Sequence, residues 1–189
     1  LDLMEHSSKR GIRCPKPVAD QNGEMVKTLA GRPAVIVTFL TGSSVTNISV
    51  DHCGQLGLML GKFHKAGMKF QGARKNDFSI ESWREIAGLC SGKIEQYNVG
   101  LKDELNEELD YLSEHWPTEL PGGIIHGDLF PDNVFFEENK LSGIIDFYFS
   151  CTDILAYDIG ICLNAWCFDA NYKFNYDKAR KVLSEYRVI

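Results

Sequence analysis

Residues 122–150 read GGIIHGDLFPDNVFFEENKLSGIIDFYFS, and no other stretch limits the possible folds as strongly. Ile124-Ile125 follows Pro121-Gly122-Gly123 and is too short for a helix, so a buried strand delivering His126 to a loop is expected. Val134-Phe135-Phe136 reads as the next strand, residues 137–140 as a turn, and residues 141–145 as the returning strand that presents Asp146. Two neighbouring strands would then bring Asp128, Asn133 and Asp146 to one end of a hairpin. Oxygen donors of this kind suit Mg²⁺, which takes one or two carboxylates, keeps several waters and binds phosphate.

His126-Gly127-Asp128, an asparagine five residues after the aspartate, and a further aspartate on the next strand make the layout that phosphoryl transfer needs. One carboxylate orients the accepting hydroxyl and takes its proton, while an amide oxygen and a second carboxylate hold Mg²⁺ on a triphosphate. The loose transition state leaves positioning and charge stabilisation to the protein. Taken singly, each residue is explained as well by a loop cap or a turn; the four together, between these strands, favour a site. A Mg²⁺-dependent phosphohydrolase built on paired aspartates is disfavoured, because Asp128-Leu129-Phe130 lacks the second Asp two residues on.

The first forty residues read as antiparallel strands. A helix over residues 2–10 ends at Gly11, and Cys14-Pro15-Lys16-Pro17 must be extended. Asn22-Gly23 predicts a hairpin between residues 18–20 and 25–29. The continuous apolar run of residues 34–39 predicts a buried strand. Residues 41–48 form a linker, after which the pattern turns helical. Ser49 caps a helix carrying Cys53, Leu56, Leu60 and Phe63 on one face. Its GLMLGK text resembles a phosphate loop but has glycines four apart and Phe63 where Ser or Thr must hold Mg²⁺. Close helix packing explains those glycines better, with His64 a hydrogen-bonded core histidine. Ser82-Trp83-Arg84-Glu85 predicts the start of a second helix. A third spans about 101–115, its acidic residues forming a solvated face, and Pro117 ends it.

Hydrophobic residues are 44% and charged residues 24%, which fits a soluble globular chain. A net charge of -6 argues against a nucleic-acid partner. No apolar run approaches the roughly 20 residues of a membrane span, so no membrane partner is expected. The six cysteines show no paired spacing; they read as reduced core residues of a cytoplasmic protein rather than a zinc site. Leu1 opens mid-pattern and Ile189 stops inside a helix-like segment, so a fragment of a longer protein is expected. No sequence feature sets an oligomeric state.

HGDLFPDN followed by IIDF resembles the catalytic and metal loops of the aminoglycoside phosphotransferase and choline kinase superfamily. HGDLFPDNVFF, LSGIIDFYFSC and DILAYDIGICLNAWCF are similar to the type II homoserine kinases, as are GRPAVIVTFLTG and HWPTELPGGIIH. The resemblance covers most of the chain. It implies an α+β, protein-kinase-like two-lobed fold: a partial antiparallel N-lobe over residues 1–40, a hinge or linker over 41–48, and a mostly helical C-lobe over 49–189. It implies ATP and Mg²⁺ as cofactors and the side-chain hydroxyl of L-homoserine as acceptor, in threonine biosynthesis. Another small alcohol (an aminoglycoside, choline or a sugar) is the alternative within the class, and a non-catalytic kinase-fold protein the alternative outside it. By position, Asp128 is implied as catalytic base and Asn133 and Asp146 as metal ligands. Thr38, Phe39 and Leu40 would be the hinge meeting adenine, with His126 and Asp158 as structural support. Tyr148, Asn164 and Trp166 lie in the segment most like the homoserine kinases and are candidates for the substrate pocket or for packing. The superfamily's glycine-rich phosphate-covering loop has no counterpart among these residues, nor do its C-terminal helices.

Overall fold

The structure, a computed structural model, describes all 189 residues. Two compact units are present: residues 1–74 together with 121–189, and residues 75–120. The first holds helices α1 (Asp2–Lys9), α2 (Val50–Gly67), α5 (Leu155–Trp166) and α6 (Tyr176–Tyr186), and all the strands. The strands are β1 (Val26–Leu29), β2 (Arg32–Val35), β3 (Gly122–Ile125), β4 (Val134–Glu137), β5 (Lys140–Ile144) and β6 (Cys151–Ile154). They pair as three antiparallel two-stranded sheets, β1-β2, β3-β6 and β4-β5. The second unit holds α3 (Ile80–Cys90) and α4 (Leu101–His115).

Helix α2 is the spine of the larger unit. Ser49 opens it: the hydroxyl accepts from the His52 amide (3.1 Å), and the Ser49 amide donates to His52 Nδ1 (3.2 Å). This is a capping box closed by a histidine instead of a Glu or Gln. Leu56, Leu60 and Phe63 are fully buried. The GLMLGK glycines let α6 approach its backbone. A Cβ at Gly57 would lie 2.2 Å from the Val182 carbonyl oxygen, and one at Gly61 would lie 3.0 Å from that of Tyr186. Six residues further on, a Cβ at Gly67 would lie 2.9 Å from Cβ of Ile124 in β3.

The β4-β5 hairpin turns at Glu138 and Asn139, both at positive φ (+50° and +63°), as a two-residue hairpin of this hand requires. Its outer edge is held by the linker: Ser43 and Phe136 exchange both backbone hydrogen bonds (3.0 and 2.8 Å), and Ser142 Oγ donates to the Thr41 carbonyl (2.7 Å). Gln55 of α2 fixes its turn, donating to the Asn139 carbonyl and accepting from the Leu141 amide.

Three local expectations are corrected. The hairpin turns at Ala30-Gly31 (φ +50° and +76°), not at Asn22-Gly23. Asn22 and Gly23 belong to a loop closed by the Asp20 carboxylate, which accepts from the Asn22 and Glu24 amides (2.8 and 2.9 Å). A side-chain acceptor two residues upstream thus stabilises a local turn in place of a strand reversal. Residues 34–39 are not a buried strand. Strand β2 ends at Val35, and Ile36 and Phe39 are 72% and 89% exposed. Within residues 1–189 no second layer lies over the two-stranded ribbon, and the β-branched run shows strand propensity without burial there. In the second unit α3 starts after Ser79, three residues before the expected cap, and the Ser79 hydroxyl hydrogen-bonds to Glu81.

Within that second unit, Arg84 Nη2 reaches the Leu109 carbonyl, Asp110 Oδ1 and Ser113 Oγ at 2.9–3.1 Å. Trp83 and Trp116 meet edge to face at 5.4 Å, and Leu109 is buried. No helix of the protein is long and apolar enough to cross a membrane.

A methyl group at Gly57 would strike backbone, which cannot rotate away. Gly57→Ala should therefore destabilise the protein by about 1–3 kcal/mol in urea unfolding. Gly88→Ala in α3, where nothing lies within 4 Å, should be neutral or stabilising by up to about 1 kcal/mol. Equal stabilities for the two variants would contradict the α2-α6 packing described.

Candidate active site

Asp158 of α5 is fully buried, and three donors converge on it. Its Oδ2 accepts from the His126 amide (2.8 Å) and from His64 Nε2 (3.0 Å); its Oδ1 accepts from the Gly127 amide (3.0 Å). Tyr186 of α6 joins at one remove, with its hydroxyl 2.9 Å from His64 Nδ1. Burial alone would raise the Asp158 carboxyl. The His64 hydrogen bond and charge, with the His126 ring and amide, outweigh it and hold the group below the ordinary aspartate range. The entry to the loop at Asp128 is therefore suspended from one carboxylate reached from α2, α5 and α6.

His126 follows β3 and is itself fully buried, edge-on to Phe63 (6.0 Å) and tilted to Phe147 (5.1 Å). Its Nε2 donates to the Ile145 carbonyl (3.0 Å), so the loop at Asp128 is tied to the residue before Asp146. Its Nδ1 is buried with no hydrogen-bond partner. Burial pushes the imidazole below its usual range despite Asp158, so it stands neutral as a brace. Gly127 is at φ +77°, and a Cβ there would lie 2.9 Å from the Phe149 carbonyl oxygen. Glycine is thus required twice, for its left-handed backbone and for the close approach.

Beyond Asp128 the chain makes a single tight turn, Pro131–Asn133, and enters β4. Asn133 Nδ2 donates to both the Asp128 carbonyl (2.8 Å) and Asp128 Oδ2 (2.9 Å). With its nitrogen spent on Asp128, the asparagine has its amide oxygen left as a donor atom for a cation. The Ile145 amide donates to the Asn133 carbonyl (3.0 Å), which closes the open end of the β4-β5 hairpin and places Asp146 beside the turn. Asp146 is exposed and held at φ +60°, a left-handed conformation that carbonyl-bearing side chains tolerate. Its Oδ1 accepts from the Tyr148 amide (3.2 Å). Partial burial raises the Asp128 carboxyl; the Asn133 bond opposes this, and the Asp146 and Asp132 charges add to it. Two carboxylates and an amide oxygen on neighbouring turns fit a hard divalent cation.

Asp128, Asn133 and Asp146 are thus brought together, with His126 and Asp158 beneath them. Trp166 is not at a pocket surface: it is fully buried, and its Nε1 donates to the Leu129 carbonyl (2.7 Å), bracing the residue after Asp128. Asn164 and Tyr148 are exposed. At residues 38–40, the Thr38 amide and hydroxyl are both engaged with Lys16 (2.9 Å each), Phe39 faces solvent, and the Leu40 side chain stands against Gly143. The sequence reading did not pair His64 with Asp158, or Ser150, whose Oγ donates to the His126 carbonyl (3.3 Å). A histidine on the packed face of α2 was a visible signal; its partner, 94 residues away, was not.

This scaffold, the β4-β5 hairpin nested between paired β3 and β6 with loops at Asp128 and Asp146, is that of the kinase-like phosphotransferases. The phosphotransferase enzyme family model (APH) matches residues 1–188, and the chain belongs to that family. Similar curated proteins are homoserine kinases. That of Parvibaculum lavamentivorans is 50% identical over 186 residues, 98% of this chain and 58% of the relative. That of Rhodopseudomonas palustris (strain BisB5) is 48% identical over 187 residues, 99% of this chain and 57% of the relative. The chain therefore spans a little over half the length of these relatives. Among solved structures, an amicoumacin kinase in complex with AMP-PNP and Ca²⁺ superposes at TM-score 0.75 and 16% identity, over 99% of this chain and 60% of that one. A type VIII aminoglycoside-3'-phosphotransferase superposes at 0.72 and 17%, over 98% and 70%.

Replacing Asp158 by Asn removes the charge and turns one of its two acceptor oxygens into a donor facing a buried amide, so Asp158→Asn should cost about 3 kcal/mol or more. The sign with pH follows from the lowered carboxyl. The Asp158 contribution is complete above the unfolded value of about 4 and is lost as pH falls through the lower folded value. His126, also lowered, removes stability as pH falls below about 6.5. Urea unfolding between pH 8 and pH 3 should show the gap between wild type and Asp158→Asn closing below pH 4. A gap constant to pH 3 would contradict the buried anion.

Proposed function

We propose that the protein containing this chain is an ATP-dependent kinase that transfers a phosphoryl group to the side-chain hydroxyl of L-homoserine. The observation that carries the reaction class is the Asn133 side chain fixed on Asp128 while Asp146 emerges beside it from the same hairpin. Homoserine as acceptor is supported by the homoserine kinases 48–51% identical over nearly the whole chain. In this reading Asp128 accepts the hydrogen bond of the acceptor hydroxyl and takes its proton as the oxygen–phosphorus bond forms. The bond between the γ-phosphorus and its bridging oxygen breaks, and ADP leaves. Asp128 then returns the proton to solvent. Its raised carboxyl makes it a better proton acceptor than an ordinary aspartate, provided it enters the reaction ionised.

The Asn133 amide oxygen and the Asp146 carboxylate would hold Mg²⁺, which when bound neutralises charge on the phosphates. Asn133 has a second duty, orienting Asp128 through its nitrogen. Residues 1–40 would be part of an N-lobe, 41–48 the linker and 49–189 the C-lobe. With Thr38 engaged by Lys16, adenine recognition would fall to the backbone of Phe39 and Leu40. Six free cysteines suit a cytoplasmic enzyme of threonine biosynthesis.

The test is ATP turnover by the full-length protein across homoserine, choline and an aminoglycoside. Homoserine should be preferred, and Asp128→Asn should lower kcat at least 100-fold, the lower range for a positioned general base. Turnover of choline or the aminoglycoside without homoserine, or an undiminished Asp128→Asn variant, would overturn the proposal.

A further inference from the structure

Arg74 is the last residue of the larger unit before residues 75–120 depart. Its backbone extends the β3-β6 sheet: the Thr152 amide donates to the Arg74 carbonyl (2.8 Å), and the Arg74 amide donates to Thr152 Oγ1 (3.3 Å). Its side chain reaches across to the turn that follows Asp146. Guanidinium Nη1 donates to the Tyr148 carbonyl, and Cζ lies 5.8 Å from the centroid of the Tyr148 ring. The amide of that same Tyr148 donates to Asp146 Oδ1. Arginine and carboxylate are therefore joined through the two polar groups flanking one residue.

The two ends of this turn are held from below: Phe147 packs against Phe63 and His126, and the Phe149 backbone passes close to Gly127. Phe147–Phe149 is a single 3-10 turn outside every strand pairing. Tyr148 is 71% exposed, so burial of its ring does not fix the turn. Asp146, which starts it, sits at φ +60° and is exposed. Asp146 and Tyr148 are thus the outward-facing part of the turn, and packing from below does not reach their polar groups. Arg74 supplies two contacts from a backbone already locked to β6. A planar guanidinium suits the task, since it can bond a carbonyl in its plane and present its face to an aromatic ring.

We propose that Arg74 is a positioning residue for Asp146. It holds the Tyr148 turn so that one carboxylate oxygen stays on the Tyr148 amide and the other faces the cation. The proposal rests on Asp146 being a metal ligand.

Binding of Mn²⁺ to the full-length protein with a non-hydrolysable ATP analogue, followed by electron paramagnetic resonance, reads this without turnover. Arg74→Ala should weaken Mn²⁺ binding about 10-fold, as loss of an outer-shell partner does. Arg74→Lys, which keeps a donor but not the planar face, should fall between Ala and wild type. Amide hydrogen exchange should rise in residues 146–150 of Arg74→Ala, and KM for the alcohol should stay unchanged. Arg74→Gln, a neutral variant of similar length, repeats the measurement should Ala not fold. Unchanged Mn²⁺ binding in Arg74→Ala or Arg74→Gln would overturn the proposal, as would a loss confined to the KM of the alcohol. Asp146→Asn separates the two layers. If Mn²⁺ binding ignores Asp146→Asn, the metal-ligand reading fails; if it collapses there but ignores the Arg74 variants, only the role of Arg74 fails.

Discussion

The larger unit depends on one buried carboxylate. Asp158 is fully buried, and its charge is sustained by two loop amides and the His64 ring. A buried anion of this kind tolerates little movement, because each lost donor leaves a large desolvation cost uncompensated. The same constraint explains several neighbours. Gly57 and Gly61 bring α6 against α2, where Tyr186 can reach the His64 ring. Gly127 allows the loop amide to point inward while its backbone passes close to Phe149.

From this anchor, rigidity passes outward to an exposed surface. His126 connects the anchored loop to the Ile145 carbonyl, Trp166 fixes the Leu129 carbonyl, and Asn133 clasps Asp128. The two carboxylates assigned to the chemistry in the proposed function are the least buried of the set: Asp128 is half-buried and Asp146 exposed. Such an arrangement places the stabilising contacts beneath the two carboxylates and leaves both accessible from solvent. The neutral His126 ring, with one nitrogen unpaired, is a cost that the architecture carries to join the two loops.

Much of this was legible in the residues. The short apolar runs of 122–145 announced strands, and the polar residues between them announced the loops, because a period-two pattern and turn-forming residues act locally. Helices α2 and α4 were legible for the same reason, from Ser49 and from the leucine spacing that Pro117 ends. The hairpin near residue 22 was misplaced because Asp20 captures the local amides, an interaction that competes directly with strand reversal. Residues 34–39 were misjudged because β-branched character does not distinguish a covered strand from an open ribbon. Trp166 was offered as a pocket residue or as packing; only the fold reveals that its indole reaches Leu129, 37 residues away. The links from His64 to Asp158 and from Arg74 to Tyr148 span 94 and 74 residues, and no periodicity encodes them.

The most direct test of the account is a crystal structure of the full-length protein with Mg²⁺, a non-hydrolysable ATP analogue and homoserine. The metal should bond the Asn133 amide oxygen and the Asp146 carboxylate at about 2.1 Å, and the homoserine hydroxyl should lie about 3 Å from an Asp128 oxygen. A metal held by Asp128 in place of Asp146, or a hydroxyl directed away from Asp128, would contradict it.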